Sequence, residues 1–152
     1  MASIVLAGGG TAGHIEPALA VARVWKNSNP SEEITFLGTA QGLENTLIPA
    51  AGFSVSNIPK VRISRRPSLT WVRIPFDLIA SVRACHGLLQ DADLLIGFGG
   101  YVSAPAYIAA RILGVPTIIH EANAKPGWAN RLGALFTPHL AVAHGVNTGL
   151  FG

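Results

Sequence analysis

Apolar residues in this chain fall into short unbroken runs, separated by stretches in which they recur every three or four positions. The runs lie at residues 3–7 (SIVLA), 33–38 (EITFLG), 54–58 (SVSNI), 94–97 (LLIG), 117–121 (TIIHE) and 140–143 (LAVA), and they predict strands buried on both faces. Between the first two runs Ile15, Ala18, Leu19, Ala22 and Trp25 keep helical spacing, with the helix ending near 27–30. Pro17 is placed in its first turn, where a missing N–H costs nothing. Further helices are predicted at 43–50 (closed by Gly52), 70–89, 103–113 and 128–135, with Pro75 kinking or splitting the third of these. Strands alternating with helices imply an α/β chain: a Rossmann-like open parallel sheet with helices on both faces. The expected domain spans 1–145, and 146–152 reads as a linker or a truncated end.

Composition narrows the class. The chain has 152 residues, enough for one domain with a real core. It is 49% apolar and only 12% charged, with a mean hydropathy of +0.41, which excludes disorder. Cys85 is the one cysteine, so no intrachain disulfide forms, and a reducing compartment is expected. No apolar stretch reaches the ~18 residues of a membrane span, and the first apolar run is too short for a signal peptide. The net charge of +3 suits an anionic partner such as phosphate or an acidic membrane surface. It is too small and too scattered for a nucleic-acid stripe.

In an open parallel sheet, ligands bind beyond the carboxyl ends of the strands. Three of those ends carry unusual residues: Gly8-Gly9-Gly10-Thr11-Ala12-Gly13-His14, then Gly97-Phe98-Gly99-Gly100-Tyr101-Val102-Ser103, then His120-Glu121-Ala122-Asn123. The first two are glycine-rich loops entering helices. Glycines admit a ligand close to backbone N–H groups, and a helix start adds unpaired donors with a partial positive charge. Side by side, two such loops suit a diphosphate, although glycines also serve plain tight turns. His14 at the crevice mouth is a candidate general base, since imidazole titrates near neutral pH and a helix start disfavours the imidazolium. The alternative role for it is capping or packing. His120 and Glu121 are adjacent in a strand, so one faces the crevice and the other packs. Asn123 is suited to a sugar hydroxyl or to stabilising its own turn.

Other motifs fail on their details. Gly8, Gly10 and Gly13 satisfy G-x-G-x-x-G, but a dinucleotide site also wants an acid ending the second strand, where Leu37-Gly38-Thr39 stands. His14-Ile15 replaces the Lys-Ser/Thr of a P-loop. Asp91-Ala92-Asp93 mimics a metal-binding D-x-D but precedes its strand, at the opposite end of the sheet, and no histidine pair has metal-ligand spacing. Within 62–83, Arg65 and Arg66 stand beside Trp71, Ile74, Phe76 and Ile79. Apolar wedges among cations suit contact with an anionic membrane, against the plainer reading of a core helix with a basic face.

Three segments, GGGTAGHIEPALAVA, GFGGYVSAPAYIAA and HEANAKPGWANRLG, resemble the crevice segments of the MurG family of peptidoglycan glycosyltransferases, in order and along nearly the whole chain. Ala12 departs from the pattern, since many members have glycine there. The resemblance implies the N-terminal half of a GT-B fold, with a C-terminal half that binds UDP-GlcNAc absent from these residues. It implies an inverting hexosyltransferase of cell-wall synthesis that moves GlcNAc to the C4 hydroxyl of MurNAc in lipid I, giving lipid II, at the cytoplasmic face of the membrane. Under it, Gly9, Gly10, Thr11, Ala12 and Gly13 with Gly99, Gly100, Tyr101 and Ser103 hold the acceptor diphosphate. His14 and Glu121 are the candidate catalytic residues, and Asn123 reaches the donor sugar. No metal and no cofactor is implied, and the isolated chain is expected to be inactive. Two alternatives fit the same residues: a non-catalytic, membrane-docked subunit that holds a lipid diphosphate for a separate catalytic chain, and a nucleotide-dependent oxidoreductase that has the glycine fingerprint but lacks the ribose acid.

Overall fold

Every predicted strand forms, and all six lie parallel in one sheet. The computed structural model describes residues 1–62 and 69–145. In chain order the elements are β1 (Ser3–Gly8), α1 (Ala12–Ser28), β2 (Glu33–Gly38), α2 (Glu44–Ala50), β3 (Ser54–Asn57), a 3-10 helix (Leu69–Arg73), α3 (Ile74–Leu89), β4 (Leu94–Gly99), α4 (Ser103–Leu113), β5 (Thr117–Glu121), α5 (Trp128–Gly133) and β6 (Leu140–Val142). The sheet order is β3-β2-β1-β4-β5-β6. The chain therefore runs outward from β1 to one edge, then crosses to β4 and runs to the other. Such a reversal opens a crevice between the two strands beyond their carboxyl ends.

Alternation along the strands divides the core in two. Ile4, Leu6, Phe36, Ile96 and Phe98 point to one face, where Ile15, Ala18, Leu19 and Ala22 of α1 and Ile48 of α2 cover them. Val5, Ala7, Leu37, Leu95 and Ile119 point to the other, against Cys85 and Leu89 of α3 and the alanines of α4. Burial pushes the Cys85 thiol up to about 12, so it packs as a small apolar group. Among the described residues Tyr107 is the largest fully buried side chain. It runs between two glycines: a Cβ on Gly97 would overlap its hydroxyl, and one on Gly133 would lie 2.6 Å from its ring. Its hydroxyl donates to Asn130 Oδ1 at 2.7 Å, and burial holds it well above the usual phenol range.

Three expectations shift. Helix α1 begins at Ala12, a turn earlier than its apolar pattern shows, so Pro17 is in the helix interior rather than the first turn. A proline there removes the N–H that the Gly13 carbonyl would otherwise accept. Strand β4 runs on past 97 to Gly99, and its register against β1 slips between Ala7–Gly97 and Gly8–Gly99. The bulge falls at Phe98, whose ring stays buried in the core facing α1. The predicted 70–89 helix is split: a 3-10 turn ends at Arg73, and Pro75 occupies the first turn of α3, where it fits. Arg65, Arg66 and 146–152 lie outside the described residues.

His120 stacks on Phe98 with ring centroids 5.4 Å apart, and its Nδ1 is buried without a hydrogen-bond partner. Burial lowers its pKa from the ordinary 6.5, opposed by the neighbouring Glu121 charge. The fold therefore favours neutral imidazole, while the unfolded chain takes a proton at the ordinary value. Stability conferred by this site is complete above about 6.5 and falls on acidification below it. Denaturant midpoints measured from pH 7.5 to 5 should decline, and His120→Gln should flatten that part of the decline. Gly97→Ala should destabilise the chain by about 1–3 kcal/mol through overpacking against Tyr107, seen as a lowered midpoint at constant m-value.

Candidate functional site

The two glycine-rich loops leave β1 and β4, the strands flanking the reversal, and they touch. A Cβ on Gly100 would overlap the Gly9 carbonyl oxygen. Gly99 and Gly100 both have positive φ, at +91° and +84°, a conformation that side-chain-bearing residues rarely adopt. The His14 ring lies against this turn, with Nε2 3.3 Å from where a Gly99 Cβ would be and Nδ1 3.3 Å from a Gly100 Cβ. On its other side, Asn130 Nδ2 is also 3.3 Å from the Gly99 position. Residues from all three sequence segments thus meet around one glycine of the β4 bulge.

Helix α1 points its N-terminus into this crevice. Thr11 is the N-cap residue, yet its side chain makes no capping bond. Its Oγ1 is instead 3.0 Å from His14 Nδ1. Thr11, Ala12 and Gly13 are exposed, and among the described residues the start of α1 has no side-chain cap. Uncapped helix starts are suited to anions. His14 is half-buried at its edge.

Two buried carboxylates hold the loops. Glu121 is 2% exposed. Its Oε1 accepts the Asn123 N–H and Nδ2, each at 2.9 Å. Its Oε2 accepts Asn130 Nδ2 at 2.8 Å and the Gly127 N–H at 3.2 Å. The other, Glu44, is fully buried at the start of α2. It accepts the Thr39 N–H at 3.0 Å, the Tyr101 hydroxyl at 3.1 Å and the Gly10 N–H at 3.5 Å. The Tyr101 ring covers Gly10, with Cε1 2.6 Å from where a Cβ would be. Lys60 Nζ lies 4.9 Å above that ring. Burial raises the Tyr101 hydroxyl above its ordinary value, and the Glu44 charge adds to this, so the hydroxyl stays a donor.

These positions correct two expectations. Ser103 has no exposed surface: its hydroxyl donates to the Ala7 carbonyl at 2.6 Å and accepts the Gly99 N–H at 3.2 Å, pinning the bulge to β1. Glu121 likewise faces four donors inside the protein and not the crevice. Both are engaged inside the protein, Glu121 by donors of its own segment and of α5, and Ser103 by the Ala7 carbonyl of β1 and the Gly99 amide. Asn123 is exposed and is held in place by Glu121.

Sequence reasoning missed Glu44 and Asn130. A signal for Glu44 existed, since it is one helical turn from Ile48 on the buried side of α2. It also brings a carboxylate to the end of β2, where a dinucleotide ribose would want one. Being buried and fully engaged, it is closed to a ribose. Asp93, of the discarded D-x-D, accepts the Ser3 N–H at 2.8 Å at the amino end of the sheet. Among the described residues no group of three or more His, Cys, Asp or Glu side chains is arranged to hold a metal.

Leu69, Val72, Phe76 and Ile79 are exposed, as is nearly half of Trp71, while Ile74 is half-buried. They form an apolar surface on the 3-10 turn and the first turns of α3. Among the described residues no helix is long and apolar enough to cross a membrane.

Comparison with known proteins agrees with the motif resemblance. The chain is 52% identical over 149 residues to the UDP-N-acetylglucosamine--N-acetylmuramyl-(pentapeptide) pyrophosphoryl-undecaprenol N-acetylglucosamine transferase of Rhodococcus erythropolis, covering 93% of this chain and 38% of that enzyme. It is 50% identical to the enzyme of the same name from Leifsonia xyli, covering 94% and 40%. Its fold superposes on the crystal structure of Acinetobacter baumannii MurG with a TM-score of 0.79 at 29% identity, over 95% of this chain and 41% of that one. The chain spans about 40% of the length of the relatives it matches. Residues 4–142 match the glycosyltransferase family 28 N-terminal domain, and with that sheet, that crevice and those motifs the chain belongs to glycosyltransferase family 28, as its N-terminal domain.

Proposed function

We propose that this chain is the acceptor-binding half of an inverting glycosyltransferase that moves GlcNAc from UDP-GlcNAc to the C4 hydroxyl of MurNAc in lipid I, forming lipid II. The observation that carries this reading is the meeting of the α1 N-terminus with the Gly99–Gly100 turn, with His14 between them. The exposed amides at the start of α1 present donors and partial positive charge to the acceptor diphosphate, and Lys60 adds a cation nearby.

His14 then stands at the end of the bound diphosphate, where the acceptor sugar begins. To act as base it carries its own proton on Nδ1, donated to Thr11 Oγ1, and keeps the Nε2 lone pair free. Nε2 takes the proton from the C4 hydroxyl as that oxygen bonds to C1 of GlcNAc. The C1–O bond to UDP breaks on the opposite face, and the configuration inverts. Such a displacement needs one base and a stabilised leaving diphosphate, and the reading assigns it no resident cofactor. UDP-GlcNAc is bound mainly by a second half, with Asn123 reaching toward the donor sugar, so the 152 residues alone are inactive. Glu121 and Ser103 shape the crevice without touching substrate.

The exposed apolar residues on the 3-10 turn and α3 support peripheral docking on an anionic cytoplasmic membrane face, which delivers the lipid-linked acceptor.

Assayed in the intact two-domain enzyme that this reading requires, His14→Ala should lower turnover by about a hundredfold or more. A near-normal rate removes His14 as base. Robust transfer by the 152 residues alone overturns the half-site reading, and lipid diphosphate binding with turnover indifferent to every crevice residue favours the non-catalytic subunit. For the membrane face, co-sedimentation with phosphatidylglycerol vesicles should fall several-fold in Phe76→Ser with Ile79→Ser, and with added salt. Unchanged binding rejects that face.

A further inference from the structure

Below the crevice, Glu44 occupies a space that three glycines leave open. A Cβ on Gly42 would overlap its carboxylate, one on Gly38 would lie 2.5 Å from its Cγ, and one on Gly9 would lie 3.0 Å from its Oε1. Burying a carboxylate is costly unless donors surround it, and here they do. Oε1 accepts from the Thr39 amide, the Thr39 hydroxyl at 3.4 Å and the Tyr101 hydroxyl, while Oε2 accepts from the Gly10 amide. The Thr39 and Tyr101 hydroxyls are themselves 3.2 Å apart. One side chain from α2 therefore grips both glycine loops from beneath: Gly10, which precedes the α1 start, and Tyr101, which follows the Gly99–Gly100 turn.

We infer that Glu44 is a positioning residue for the acceptor diphosphate, setting the spacing of the two glycine loops through Gly10 and Tyr101 without itself meeting the ligand. The inference rests on the acceptor-site reading above. The chemistry requires an acid at this position. Four donors converge and none of them needs a donor in return, so glutamine, with one acceptor oxygen and one NH2, must set N–H against N–H at Gly10 or at Thr39. Size is conserved in that exchange, and only the loop tie is lost.

In the intact enzyme, Glu44→Gln should raise the KM for lipid I about tenfold and leave the KM for UDP-GlcNAc within about twofold, with the thermal midpoint lowered by a few degrees by the buried N–H left without an acceptor. Thr39→Val, a buried change one bond removed from the carboxylate, should move the lipid I KM the same way by about threefold. Combining Glu44→Gln with Tyr101→Phe should cost less than the product of the two, because both cut one network. An unchanged lipid I KM in Glu44→Gln, an equal rise in both KM values, or fully multiplicative effects in the double variant overturns the inference. Should Glu44→Gln fail to fold, the same KM split in Thr39→Val decides. A wild-type enzyme that makes no lipid II sinks the acceptor-site reading instead, whereas an active wild type with a normal Glu44→Gln sinks only the role of Glu44.

Discussion

The carbonyl of Gly9 sits where a Cβ of Gly100 would be. That contact, backbone on backbone with no side chain between, sets the geometry of the site. It brings together the ends of the two strands between which the chain reverses direction, and it lays the His14 ring over the turn that follows β4. A side chain at Gly100 would push the loops apart and take the α1 amides away from the imidazole. The bulge at Phe98 and the positive φ of Gly99 and Gly100 follow from the same demand: β4 must bend its end toward β1 and stop there.

Close approach of bare backbone leaves polar groups to be satisfied, and the protein meets this with two buried carboxylates and one buried hydroxyl. Glu44 gathers donors beneath the first two loops, Glu121 gathers donors inside the third, and Ser103 links the Ala7 carbonyl to Gly99. Each acidic group would be expensive to bury alone, at several kcal/mol. Surrounded by three or four donors, each becomes a rigid node. Asn130 ties the third segment to the second face of the core, because it meets Glu121 at one end and the Tyr107 hydroxyl at the other. The loops are thus anchored in packed structure, while Ala12 and Gly13 at the start of α1 stay exposed.

The carboxylates that look catalytic and those that are structural cannot be told apart by residue type. Glu121 stands in a polar, motif-rich segment beside His120, and motif reasoning places it in the crevice. Glu44 stands in an undistinguished stretch, QGLENTLIP, and attracts no notice. In the fold both are enclosed by donors. What decides is which face of β5 or α2 each side chain occupies, and one residue's shift along a strand reverses that.

Much of the architecture was legible one-dimensionally. Apolar runs and helical spacing give all six strands, the helices that cover them and the parallel sheet, because periodicity is a local consequence of burial on two faces. The two glycine-rich turns were legible too, since the positive φ at Gly10, Gly99 and Gly100 favours glycine. The start of α1 ahead of Pro17, the extension of β4 through its bulge, the inward aim of Ser103 and Glu121, and the existence of the Glu44 node were not. Each depends on contacts between residues far apart in the chain, such as Tyr101 with Glu44, His14 with Gly99, or Ser103 with Ala7. Sequence alone determined that this is a doubly covered α/β sheet with glycine-rich turns at one end. Only the tertiary structure decided which polar groups hold those turns together, because that depends on the direction of each side chain across the packed core.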